Sequence, residues 1–166
     1  MAGLTPLPAP LRLHHPAALL ATWFGAGLLR PAPGTWGTLA AFPFAWGLHL
    51  AGGPLLLLVA AAIIFAAGIP AATAYCRAAE RDDASEVVVD EVAAIWVVLA
   101  ALPLTPVAWI SAFILFRFFD ILKPWPIRVI ERRFKGGFGV MIDDMFAAIL
   151  AIAAWFLLYF LWRIIA

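Results

Sequence analysis

Apolar runs, and the short stretches that interrupt them, organise this chain. Residues 1–16 are proline-rich without apolar periodicity, so an irregular segment is expected there. Residues 17–29 are apolar but too few to cross a bilayer, which fits a segment lying at an interface. Arg30-Pro31-Ala32-Pro33-Gly34 breaks that run, and Thr35-Trp36-Gly37-Thr38 opens another that reaches Leu50 and stops at Gly52-Gly53-Pro54. Residues 55–75 carry no charge, and at about 1.5 Å per residue a helix of that length crosses a hydrocarbon core of roughly 30 Å. Pro70 should kink it near one end. The stretch 77–83 is polar and belongs at a surface.

Residues 92–116 are again uncharged, but Pro103 and Pro106 divide them. One tilted span would put Asp90 and Glu91 across the membrane from Asp120. A hairpin of two short helices, turning at Pro103-Leu104-Thr105-Pro106, would bring these acids together. Such short helices need burial against protein, because lipid cannot satisfy the turn. Residues 145–165 form the last span, with Arg163 able to snorkel at its end. If 38–75 and 92–116 are both hairpins, every basic residue except Arg163 falls on one side, together with all ten acids. The positive-inside rule then makes that side cytoplasmic. The favoured architecture is one all-α domain over 1–166, a polytopic membrane helical bundle with short hairpin helices.

Composition agrees with a membrane protein. The chain is 66% apolar and 13% charged, with a mean hydropathy of +1.01, where a soluble domain is nearer half apolar and a quarter charged. A net charge of +1 gives no reason to expect nucleic acid. The lone Cys76 excludes an internal disulfide and an all-thiolate metal site. The N-terminus is interrupted by proline and lacks the compact apolar core of a cleavable signal.

Charge of both signs is dense between Phe116 and Asp144. Arg117, Asp120 and Lys123 recur every three residues and fall near one helix face, with Asp120 close enough to hold Lys123. Arg128 follows a Lys-Pro-Trp-Pro turn, and a Gly-rich stretch, 136–139, leads to Asp143 and Asp144. A second acid group, Asp83, Glu86, Asp90 and Glu91, precedes an apolar run. Paired carboxylates at a membrane surface suit Mg²⁺, and cations beside them suit phosphate. The plain alternative is a basic cytoplasmic loop with acids capping helix starts. Asp90 and Glu91 weigh against it, because acids in so apolar a stretch are costly without a partner. Helix capping and turn formation also explain Gly34-Thr35-Trp36-Gly37-Thr38 and the 136–139 glycines. Cys76 is followed directly by Arg77, with no phosphate-cradling loop between them, and no Asp-x-Asp occurs. His14, His15 and His49 stand far from the charged segments. A small transporter with intramembrane acids leaves the clustered cations unexplained, and a non-catalytic lipid-binding protein leaves the paired acids unexplained.

Four blocks, in order, resemble the phosphatidylglycerophosphatase A family. They are Pro33 to Pro43 (PGTWGTLAAFP), Asp83 to Glu91 (DASEVVVDE), Phe116 to Arg128 (FRFFDILKPWPIR) and Gly136 to Asp144 (GGFGVMIDD). Ala94 stands where family members tend to carry glycine, and Glu86 falls where the pattern is loose. The resemblance implies a Mg²⁺-dependent phosphatase of the inner membrane, with its active site facing the cytoplasm. Such an enzyme converts phosphatidylglycerol phosphate to phosphatidylglycerol and inorganic phosphate. On that footing Asp90, Glu91, Asp143 and Asp144 are expected at the metal. Asp83, Asp120, Lys123 and Asp143 are expected in catalysis. Arg117, Lys123 and Arg128 would hold phosphate oxygens, and Thr35 and Thr38 the diester phosphate or the glycerol. The nucleophile, water or an Asp carboxylate, stays open.

Overall fold

The computed structural model describes residues 3–165, so residues 1, 2 and 166 of the expected domain lie outside the described residues. The structure is almost wholly helical. The expected irregular N-terminal stretch, from residue 3 on, contains one short strand. That strand, β1 (Gly3–Leu4), pairs antiparallel with β2 (Leu29–Arg30). Between them the apolar segment is helical only over α1 (Pro16–Ala21), capped by the His15 imidazole, and then turns through Trp23 and Phe24 at positive φ. A 3₁₀ turn, Ala26–Leu28, leads into β2.

Helix α2 (Pro33–Ala78) is two helices joined at a break, since Gly52 and Gly53 have non-helical dihedrals. Gly53 has φ +69°, a conformation open to glycine and costly for most side chains. Pro54 then starts the second half, and Pro70 sits within regular helix. The two halves fold back on each other. Gly37 lies against Val88 and Gly68 against Val89, adjacent residues, whereas an unbroken helix would hold the two glycines about 46 Å apart.

Helix α3 (Val89–Ala101) is apolar beyond its first turn and enclosed by its neighbours, and ten of its residues are buried. It packs mainly on α2 and α6. The Trp96 indole donates to Ala41 O at 3.0 Å, and Trp23 meets Trp96 edge to face. Thr105 caps α4 (Pro106–Leu122), its hydroxyl accepting from Ala108 N, with Pro106 in the first turn. Of the two arrangements the sequence allows for 92–116, the structure takes the hairpin. Arg117 near the end of α4 reaches Glu91 at the start of α3.

Helix α5 (Ile127–Arg133) follows the proline-rich turn. Helix α6 (Gly136–Ile165) begins earlier than the expected span, so the 136–139 glycines form its first turn rather than a loop. A Cβ at Gly137 would collide with Ile69 O and the Thr73 hydroxyl. Small size there lets α6 press against α2. Among the described residues, α2, as two halves that fold back on each other, and α6 are long and apolar enough to cross a membrane. The last turns of α6 expose Phe156, Leu157, Phe160 and Trp162 together, an apolar extent that water tolerates poorly.

Candidate active site

Three helix ends and one helix interior meet in a cavity of about 220 Å³. The start of α2 contributes Pro33 and Gly34. The segment before α3 and its first turn contribute Asp83, Asp90 and Glu91. The end of α4 contributes Arg117, Asp120 and Lys123, and the second and third turns of α6 contribute Asp143 and Asp144. Because α6 starts at Gly136, the two aspartates lie inside the helix and are not its cap. Both are buried, as are Asp90 and Glu91.

Part of this charge is paired internally. Arg117 Nη1 meets Asp120 Oδ2 at 2.6 Å and Glu91 Oε1 at 3.2 Å. Lys123 Nζ meets Asp143 Oδ2 at 2.7 Å and Glu131 Oε1 at 2.9 Å. Asp143 Oδ1 accepts from the Asp144 amide. Lys123 is therefore not held by Asp120. It is the residue that ends α4, in the left-handed region at φ 42° and ψ 60°, so its side chain leaves the helical face and turns toward α5 and α6. A non-glycine residue there costs of order 1 kcal/mol. Burial disfavours the ammonium, but the hydrogen bonds and charges of Asp143 and Glu131 outweigh it and hold the Lys123 pKa above its usual value.

Other carboxylate oxygens in the cavity have no partner. Asp90, Glu91 and Asp144 each bring a carboxylate oxygen within 4.8 Å of the other two. Asp90 Oδ1, Glu91 Oε2 and Asp144 Oδ2 are buried without a hydrogen-bond partner. Burial and then the neighbouring Glu91 push the Asp90 carboxyl up. Burial, followed by the charge of Asp120, pushes the Glu91 carboxyl up as well, against the pull of Arg117. Carboxylates so placed are costly unless a cation joins them. Around the cavity six carboxylates face two cations, an imbalance that repels a phosphate dianion. An all-oxygen cluster of this kind fits a hard divalent cation. Gly34 leaves room for the Glu91–Arg117 pair, since a Cβ there would overlap Glu91 Oε1 and approach Arg117 Nη1 to 2.9 Å.

Other residues singled out in the sequence lie apart from this centre. Thr38 is buried, its hydroxyl donating to Gly34 O at 2.8 Å, and Thr35 is half-buried outside the cavity lining. Arg128 is exposed and donates to Leu122 O. Glu86 is buried against Arg81 at 2.7 Å, with Arg30 at 3.9 Å, so it ties the polar loop to β2 rather than joining the cluster. Sequence reasoning missed Glu131, which has no periodic relation to Lys123 across the proline turn.

This is an all-helical, lipid-compatible protein with a buried acidic centre flanked by two cations. The phosphatidylglycerophosphatase A family model matches residues 19–159. The chain is 43% identical over 147 residues to a phosphatidylglycerophosphatase A of Haemophilus influenzae, covering 86% of this chain and 88% of that protein. It is 37% identical over 156 residues to the Escherichia coli K12 phosphatidylglycerophosphatase A, covering 91% and 86%. No solved structure matches it. The chain belongs to the phosphatidylglycerophosphatase A family.

Proposed function

We propose that the protein is a Mg²⁺-dependent phosphatase that hydrolyses phosphatidylglycerol phosphate to phosphatidylglycerol and inorganic phosphate. The observation that carries this reading is the cluster of Asp90, Glu91 and Asp144, each with a buried carboxylate oxygen that has no partner, beside Arg117 and Lys123 in one cavity. Those three acids would hold the metal, with Asp143 at its edge. When bound, Mg²⁺ supplies the positive charge that lets phosphate oxygens enter so acidic a site.

The chain's own residues do the rest. Arg117, already braced by Asp120 and Glu91, presents its guanidinium to the phosphate, and Lys123, at the end of the same helix, adds a point charge. Asp143 and Glu131 position Lys123. Asp83 stands exposed at the mouth without an ion pair among the described residues, so it is free to accept a proton from water. Water oxygen then bonds to phosphorus, the bond from phosphorus to the glycerol oxygen breaks, and the proton passes on to that leaving oxygen. The first turn of α2, with Pro33 and Gly34 in the lining, directs the positive end of its dipole at the cavity. Thr35 on that turn, and Arg128 beyond the α4 end, form the outer contacts for diester phosphate and glycerol, whereas Thr38, expected there too, is buried with its hydroxyl on Gly34 O and braces the turn instead.

The substrate's two acyl chains place this chemistry at the headgroup plane. We read the chain as a multi-pass inner-membrane protein with the site facing the cytoplasm. Arg81→Cys and Lys135→Cys, each in a Cys76→Ser background, should react with impermeant reagents from the cytoplasmic side only. Labelling from opposite sides defeats that topology. The decisive assay is phosphate release by purified protein from phosphatidylglycerol phosphate, with and without Mg²⁺. Release should require both lipid and metal, and full release in excess chelator would overturn the metal-dependent reading.

A further inference from the structure

An exposed apolar stripe runs the length of α4. Val107, Ile110, Ile114, Phe118 and Ile121 recur every three or four residues, and all are exposed. Trp125 comes four residues after Ile121 and is 81% exposed, and Val129 follows at 51%. Immediately past this stripe the surface changes character. Arg128, Arg132, Arg133 and Lys135 are exposed, and none forms an ion pair among the described residues. Glu131, the single carboxylate of α5, is engaged by Lys123 instead. An apolar stripe ending in tryptophan, followed at once by uncompensated cations, matches the order of hydrocarbon, interface and anionic headgroups along a bilayer normal.

Resting on the lipid-phosphatase reading above, we propose that α5 and the turn before it form a docking surface for the anionic headgroup layer. Trp125 and Val129 sit at the hydrocarbon boundary, and Arg132, Arg133 and Lys135 lie against lipid phosphates. Charge complementarity selects this occupant, because four cations without ion pairs beside apolar side chains are drawn to anionic lipid, gain little from a zwitterionic surface and are repelled by a cationic one. The consequence reaches the site directly. Lys123 lines the cavity just before the turn and is held by Glu131 on α5, so the surface that meets the headgroups is tied to the cavity through that pair. Anionic lipid gathered there raises the local supply of an anionic lipid substrate.

The test uses the full chain as Val129→Cys in a Cys76→Ser background, labelled with an environment-sensitive fluorophore. It is placed in nanodiscs of phosphatidylcholine with and without phosphatidylglycerol. Emission should shift to the blue when phosphatidylglycerol is present and return toward the red in high salt. Adding Arg132→Gln or Arg133→Gln should raise the phosphatidylglycerol fraction giving half the shift by about fivefold for each cation removed. Emission that is identical in both lipids, or indifferent to salt, overturns the proposal and assigns the cations to topology or to a protein partner. Phosphate release from the same samples, after phosphatidylglycerol phosphate and Mg²⁺ are added, separates the two readings. A lipid-dependent shift without release upholds the docking surface and rejects the phosphatase reading, whereas release without the shift rejects the docking surface alone.

Discussion

Asp143 and Asp144 are adjacent on α6, equally buried, and have opposite surroundings. Asp143 has its oxygens satisfied by Lys123 and by the Asp144 amide. Asp144 points about 100° further round the helix, into the cluster with Asp90 and Glu91, where its Oδ2 has no partner. A single residue of helical rotation thus separates an acid that organises a cation from an acid that calls for one. The two halves of the site follow the same division, a paired half around Arg117 and Lys123, which we propose takes phosphate, and an open carboxylate half around Asp90, Glu91 and Asp144, which we propose takes the cation.

The largest effect should come from the unpartnered half. Asp144→Asn or Glu91→Gln should reduce phosphate release to background while circular dichroism stays native. Chelation should do the same to the unaltered protein, and Mg²⁺ should restore it. Activity that survives both substitutions would abolish the distinction between the halves.

Next is Lys123→Ala, which removes one preorganised charge from the phosphate half. It should lower kcat/KM by about 2–4 kcal/mol in barrier terms, with the Mg²⁺ needed for half activity nearly unchanged. Wild-type hydrolysis by this variant would remove Lys123 from the site. Asp143→Ala sharpens the comparison further. If its role is to hold Lys123, the double variant should be no worse than Lys123→Ala alone. A rise in Mg²⁺ requirement as large as that of an Asp144 variant would instead put Asp143 with the metal.

Gly34→Ala probes the space between the halves, since the new methyl overlaps Glu91 and crowds Arg117. Displacing those groups by about 1 Å should cost on the order of 10² in turnover, measured beside an unchanged thermal midpoint. The smallest effect belongs to Glu131→Gln. Its side chain is 42% exposed, so losing the pair should change kcat/KM by less than about 1 kcal/mol. A loss matching Lys123→Ala would show that α5 positions the lysine more firmly than its exposure implies.

How much of this was legible beforehand differs from element to element. The hairpin at Pro103 and Pro106 was one of two open readings, because uncharged residues on both sides give no signal of direction. The break at Gly52-Gly53-Pro54 was plain, since two glycines and a proline leave no helix-forming residue to carry a straight rod. The 136–139 glycines looked like a loop by composition and are helix, because their smallness serves contact with Ile69 and Thr73, distant in the chain. Spacing put Lys123 beside Asp120, but the left-handed backbone at Lys123 turned it to Asp143 and Glu131.

The sequence by itself determined the apolar class of the protein, the positions of its breaks and, through four motifs, its family and the identity of most charged groups in the cavity. Those are local properties, carried by runs of side chains and by residue types with strong backbone preferences. Only the tertiary structure decided which carboxylates are neutralised and which are left open. That outcome depends on rotation about α6, on the close approach at Gly34 and on the direction in which α4 ends. Each of these is set by packing between segments far apart in the chain, and periodicity within one segment carries no information about it.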